Sequence, residues 1–444
     1  MSEALSLTTD PIPKLIWRIA LPMSVGMLFQ TLYNVVDTFC AGWLGTEALA
    51  ALSLSFPIFF LVIASGSGIS QGTTALLANA LGGGDEADAR RVFAQAITFI
   101  FIAGAVLTVL GLLAAPWLFR LLGAEGSYLE ASLAYMNVIL VGAIFTLLPM
   151  VLNSALTSAG NTLPFRNFLI GGFFANLILN PLFILGWLGL PKMGTAGIGL
   201  ATVIVQLGGC LYLGIRVARM DNYRSLRPAE FKPDLAILRR IAGQAIPAAL
   251  NMLTIAVGIF VITWFVKSFG QEAVAAIGIA TRVEQIALMP AIGLNFAVLS
   301  IVGQNYGARN HARVREAWLT NLRYGAIMML IGGLLVWLLR DPAMRMFSDD
   351  PKVIGHGRDY LLSASLTLAA YPILFVTVFA LQGIKRPGFG LWMGLYRQLL
   401  APVIVFHLLA MTLGWGTWGV WWGICLVTWS AALFAIAYGW RKLR

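Results

Sequence analysis

The sequence predicts an all-α polytopic membrane protein: twelve transmembrane helices in two six-helix bundles, related by a pseudo-two-fold axis along the membrane normal. Three observations carry this. Hydrophobic residues make up 59% of the 444-residue chain and charged residues only 11%. Apolar stretches long enough to cross a bilayer recur along its whole length. The first half of the chain also maps onto the second at a fixed offset.

Composition excludes several classes. A soluble globular protein carries roughly 25% charged residues. With 11% charge and a mean hydropathy of +0.83, this chain cannot cover a water-facing surface. A soluble enzyme, a nucleic-acid-binding domain and a disordered chain are therefore not expected, and the net charge of +11 is assigned to cytoplasmic loops instead. The three cysteines, Cys40, Cys210 and Cys425, lie in apolar stretches with no metal-ligand spacing, so neither disulfides nor a metal are expected. The polar segment Met1 to Lys14 has none of the features of a cleaved signal peptide.

A spanning helix needs about 20 mostly apolar residues. Spans are predicted over residues 15–41, 46–80, 92–118, 129–158, 164–188, 195–217, 240–267, 273–305, 317–339, 356–384, 390–412 and 416–439. An even number puts both termini on one side. Of the 30 Lys and Arg residues, that side holds 22 and the other seven, with Arg282 left inside a span, so both termini are predicted to be cytoplasmic. The longest polar break is also the most basic. It divides the chain into an N-terminal bundle (1–220), a linker (221–239) and a C-terminal bundle (240–444).

Shifting the chain by 225 residues lays Pro22–Arg90 on Pro247–Arg315, with 14 of 69 positions identical. The matches fall at turn, kink and close-packing positions: Pro22 on Pro247, Gly45 on Gly270, Gly68 on Gly293, Gly82 on Gly307. Six spans per half give both halves the same orientation. Two such bundles facing one another enclose a central cavity, and rocking them provides alternating access.

Ionisable residues deep in a span are costly and point to function. Three stand out: Asp37, Arg282 and Glu284. Gln30, Tyr33, Asn34 and Asp37 follow i, i+3, i+4, i+7 spacing, a polar stripe on one helix face. Asn176 and Asn180 share a face of the fifth span, Thr202 and Gln206 a face of the sixth. Converging, these faces would form a polar pocket with Asp37 as its only charge. A desolvated carboxylate can bind a proton near neutral pH, and the same oxygens could instead hold Na⁺. Pro22 interrupts the first span's hydrogen-bond ladder and permits a kink. Glu284 has no acidic counterpart in the repeat, where it falls on Phe59. It is assigned to the cavity or its gating, or to a structural ion pair.

In this order, several segments resemble the multidrug and toxic compound extrusion (MATE) transporters, nearest their DinF-like branch. They are Leu21-Pro22, Tyr33 to Thr38, Gly45 to Ala51, Asn176 to Ile184, Met289 to Leu294 and Val302 to Ala308. The resemblance covers about residues 14–440. It implies antiport of amphipathic, often cationic compounds against H⁺ or Na⁺, by a monomer in the bacterial inner membrane, with membrane lipid around it and no cofactor. Carried over by position, it implies that Asp37, Asn176, Asn180 and Thr202 couple the cation. The resemblance also matches Pro22, and Gln30, Tyr33, Asn34, Gln206 and Glu284 are predicted, with Pro22, from their own positions in the spans to line or gate the cavity. Position 180 is Asn where the branch commonly has Asp, which leaves Asp37 as the main coupling group.

Two other readings have sequence tests. A flippase for lipid-linked sugars would call for several Arg or Lys in the cavity, and only Arg282 is placed within a span. An intramembrane enzyme would need paired acids, a His cluster or a Ser–Lys pair. The three histidines, His311, His356 and His407, are scattered.

Overall fold

A computed structural model describes residues 6–443, and among these every regular element is helical, with no strand. The helices are α1 (Ile12–Gly42), α2 (Thr46–Gly82), α3 (Glu86–Leu121), α4 (Gly126–Val141), α5 (Ala143–Ser158), α6 (Leu163–Leu185), α7 (Gly194–Ala218) and α8 (Leu235–Val266). There follow α9 (Gln271–Gly307), α10 (His311–Arg345), α11 (Pro351–Thr367), α12 (Ala370–Gly383), α13 (Gly388–Leu395), α14 (Ala401–Phe406) and α15 (Thr417–Lys442). Ten helical stretches are individually long and apolar enough to span a membrane. Two further pairs, α4–α5 bent by 45° and α11–α12 bent by 49°, bring the number to twelve when each pair is one span. Pro372 sits just inside α12 and has no N–H to return to the Leu368 carbonyl, so the ladder fails at the second bend. Residues 388–412 form one span containing two π-helical segments, Tyr396–Leu400 and His407–Thr412.

The repeat is visible in local geometry. Gly45 and Gly270 open α2 and α9 with φ of 101° and 107°, a region that favours glycine. Asp85 and Asn310 cap α3 and α10 in the same way, each side chain accepting from the backbone N–H three residues on.

Two compact units emerge, and they cut the chain elsewhere than at the basic linker. One comprises residues 25–249, the other residues 1–24 with 250–444. The two cuts keep the 225-residue offset and fall two residues after Pro22 and Pro247. Each half of the sequence thus lends the first segment of its leading helix to the other half's unit. Repeat glycines make room for the exchanged segments. A Cβ on Gly68 would meet the Ala245 carbonyl and Ala249 N at 2.6 Å, and one on Gly293 would strike the Ala20 carbonyl and Ser24 Oγ. In the second unit Ile12, Leu15, Ile16 and Ile19 are fully buried against Leu294, Val298 and Trp318.

Residues 221–239, expected to be a plain linker, are partly built into the first unit. They form 3₁₀ turns at Asp221–Tyr223 and Pro228–Phe231, and α8 already starts at Leu235. Buried Gln95 on α3 holds them, donating to the Glu230 and Lys232 carbonyls at 2.7 Å and accepting from Asp234 N at 2.9 Å. These bonds satisfy backbone groups that the short turns leave unpaired.

Candidate functional site

Within the unit of residues 25–249, α1, α6 and α7 bring four predicted residues together. α6 begins with Pro164 in its first turn and ends at Gly186 in the left-handed conformation, so its limits are set by its own sequence. Asn176 and Asn180, one turn apart, face α1 from this helix and are fully buried. Asn176 Nδ2 donates to Asp37 Oδ1 at 2.9 Å and Asn180 Nδ2 to the same oxygen at 2.8 Å. Asn180 Nδ2 also reaches Asn176 Oδ1 at 3.0 Å. On α7, Thr202 Oγ1 donates to Asp37 Oδ2 at 3.4 Å, a weak contact.

Asp37 is only 7% exposed, and no ion pair among the described residues includes it. Its charge is balanced by amide and hydroxyl dipoles alone. Two acceptor positions are left over: the loosely held Asp37 Oδ2, and Asn180 Oδ1, which is buried without a hydrogen-bond partner. One carboxylate with amide and hydroxyl oxygens is a hard, oxygen-rich set suited to a proton or an alkali cation.

The stripe predicted on the first span divides. Tyr33 is buried one turn before Asp37, with its hydroxyl beside Thr202 and Asn176. Gln30 is half-buried and Asn34 is exposed. Gln206, one turn beyond Thr202, is half-buried, and no hydrogen bond joins it to Asp37 among the described residues. Pro22 is buried within α1, and the helix continues past it.

Glu284 belongs to a separate cluster in the other unit. It is 6% exposed on α9 and accepts through Oε2 from the Tyr360 hydroxyl on α11. Tyr371 lies beside both Glu284 and Arg397. Arg282, two residues from Glu284, is exposed on the other side of α9. Arg397 was missed by sequence reasoning. It lies well inside the 388–412 span, and a basic residue two turns into an apolar run is the available signal.

The MatE family pattern matches residues 22–182 and again 247–406, together most of the chain and at the 225-residue offset. The chain belongs to the MatE family. Curated relatives match over 71% to 95% of their own length. A protein of Shewanella oneidensis described as a FAD transporter is 29% identical, over 90% of this chain and 88% of that protein. A probable multidrug resistance protein, NorM, of Pseudomonas aeruginosa is 28% identical, over 97% of this chain and 90% of its own. Among solved structures, a MATE transporter in a bent conformation superposes with a TM-score of 0.93 at 27% identity, covering 100% of this chain and 98% of that one. This MatE protein is accordingly a multi-pass membrane transporter and not an enzyme. The doubled match also bears out the sequence repeat.

Proposed function

We propose that this MatE transporter exports small amphipathic, cationic compounds by antiport with H⁺ or Na⁺, and that Asp37 is the group at which cation and cargo exclude one another. One observation carries the reading: a buried carboxylate held only by neutral donors, with Asp37 Oδ2 and Asn180 Oδ1 left to accept. With Asp37 charged, the pocket attracts a cationic compound. With a proton or Na⁺ bound, the attraction is gone and the cargo leaves. Linkage makes the exclusion reciprocal, so each ligand expels the other. Alternating access of the two halves supplies the direction. A first-span acid with Asn176 and Thr202 around it favours the DinF-like branch. The transporter works as a monomer in the inner membrane with both termini cytoplasmic, and a reporter fused after Arg444 should be active only in its cytoplasmic form.

The test is efflux of a fluorescent cation from proteoliposomes, with pH and Na⁺ gradients imposed separately. Wild-type protein should respond to at least one gradient and Asp37→Asn to neither. Gradient-driven efflux by Asp37→Asn would overturn the assignment.

A further inference from the structure

The unit of residues 1–24 and 250–444 encloses a cavity of about 510 Å³, well within the range of small-molecule sites. Its apolar wall includes Ile262, the residue that the repeat places opposite Asp37. The two units therefore carry different chemistry at equivalent positions. Two opposite charges line this cavity, Glu284 and Arg397.

They form no contact ion pair with each other, although Arg397 is near enough to act on Glu284 through its charge. Among the described residues no ion pair includes either one. Glu284 is buried, with Oε2 taken by Tyr360 and Oε1 left without a hydrogen-bond partner. Arg397 is half-buried, with its guanidinium carbon 5.5 Å from the Tyr371 ring centre and 5.4 Å from that of Phe375. Those two rings are parallel to within 5° and 5.8 Å apart. The aromatic pair holds the guanidinium in place but supplies no acid for its fork of donors. Arg397 projects from the π-helical segment Tyr396–Leu400, a local irregularity frequent at functional sites.

We propose that this cavity binds zwitterionic aromatic compounds. An ammonium group meets Glu284 Oε1, a carboxylate takes the Arg397 fork, and a flat ring lies against the apolar and aromatic wall. A compound with only a positive charge is repelled by Arg397, and one with only a negative charge is repelled by Glu284. Only a ligand carrying both charges offers a partner to Glu284 Oε1 and an acid to the Arg397 fork at once. That such ligands are cargo rests on the export reading above; their binding does not.

The test uses purified full-length protein in nanodiscs and dansyl fluorescence at equilibrium. The probes are Nε-dansyl-lysine (zwitterion), its methyl ester (cation) and its Nα-acetyl derivative (anion). Wild-type protein should bind the zwitterion at least about tenfold more tightly than either single-charge form. Arg397→Gln should lose about tenfold for the zwitterion and the anion and bind the ester more tightly than wild type does, and Glu284→Gln should lose about tenfold for the zwitterion and the ester and bind the anion more tightly. Equal binding of all three probes by wild-type protein overturns the proposal, whether or not the variants fold. So does a zwitterion preference that survives Arg397→Gln. No gradient is involved, so this outcome is separate from the fate of the Asp37 coupling reading.

Discussion

Asn180 donates its side-chain amide to Asp37 Oδ1 at 2.8 Å from a helix 143 positions further along the chain. A hydrogen bond to a charged acceptor in a buried site is strong, so α6 is tied to α1 through the charge that the transport reading requires to come and go. Neutralising Asp37 weakens that tie and gives the site two states. Asp37→Asn keeps an acceptor oxygen for Asn176 and Asn180 while removing a buried charge. It should insert and melt no lower than wild type, and lose gradient-driven efflux altogether, because no carboxylate is left to take up the proton or Na⁺. Melting in detergent and proteoliposome efflux check the two halves of this expectation.

The exchanged helix segments make a second prediction. Gly68→Ala pushes a Cβ against backbone atoms at 2.6 Å, contacts that no rotamer change relieves. Overpacking of this kind costs about 1–3 kcal/mol. Gly68→Ala and Gly293→Ala should both lower the melting temperature measurably. Gly171→Ala, where a Cβ would meet nothing within 4 Å, should not. A Gly68→Ala protein as stable as wild type would mean that α8 shifts freely at this crossing.

The twelve spans were legible because a bilayer forces length and hydropathy on every crossing helix. Asp37, Asn176, Asn180 and Thr202 were legible because polar residues on an apolar helix face are rare. The exchange of α1 and α8 between units was not, since hydropathy says which residues are buried in a span but not which neighbour covers them. Only the glycine pair, Gly68 and Gly293, hinted at it. The split between Tyr33 and Asn34 escaped for the same reason: spacing defines a face about 100° wide, and packing decides how much of it turns inward. Arg397 escaped because a cation near a span end reads as a topology signal until its ring partners are seen.

Pro22 precedes the point where α1 passes from one unit to the other by two residues, and α1 nevertheless runs on as one helix. The missing N–H leaves one backbone carbonyl without its helical partner, so bending here costs less than elsewhere in α1. Pro22→Ala restores that bond. It should slow transport while leaving expression and drug binding within about twofold, and an unchanged rate would reduce Pro22 to a packing residue.

Arg240 at the start of α8 makes two 2.8 Å bonds to Asp88 on α3. The pair is partly exposed, so a double-mutant cycle with Asp88→Asn and Arg240→Gln should give a coupling of about 0.5–1 kcal/mol. Added salt should reduce it. A coupling of zero would leave the Gln95 bonds as the main tie between α3 and the chain leading into α8.

Asn180→Asp replaces a donor 2.8 Å from Asp37 Oδ1 by a second carboxylate, still beside Asn176 and Thr202. Two like charges about 4 Å apart repel by about 4 kcal/mol at an effective dielectric of 20, and more in a drier site. The variant therefore needs something between the two acids. A shared proton suffices in acid, and a bound Na⁺ suffices at higher pH, where two carboxylates and an amide oxygen make a stronger set for a hard cation than the single acid of the wild type. Its melting temperature should rise with Na⁺ at constant ionic strength, more steeply at alkaline than at acidic pH. Wild-type protein, with one carboxylate held by neutral donors, should show a much smaller Na⁺ response. If both proteins respond equally to Na⁺, the identity of residue 180 does not govern the cation, and coupling depends on Asp37 with Thr202 and Asn176 alone.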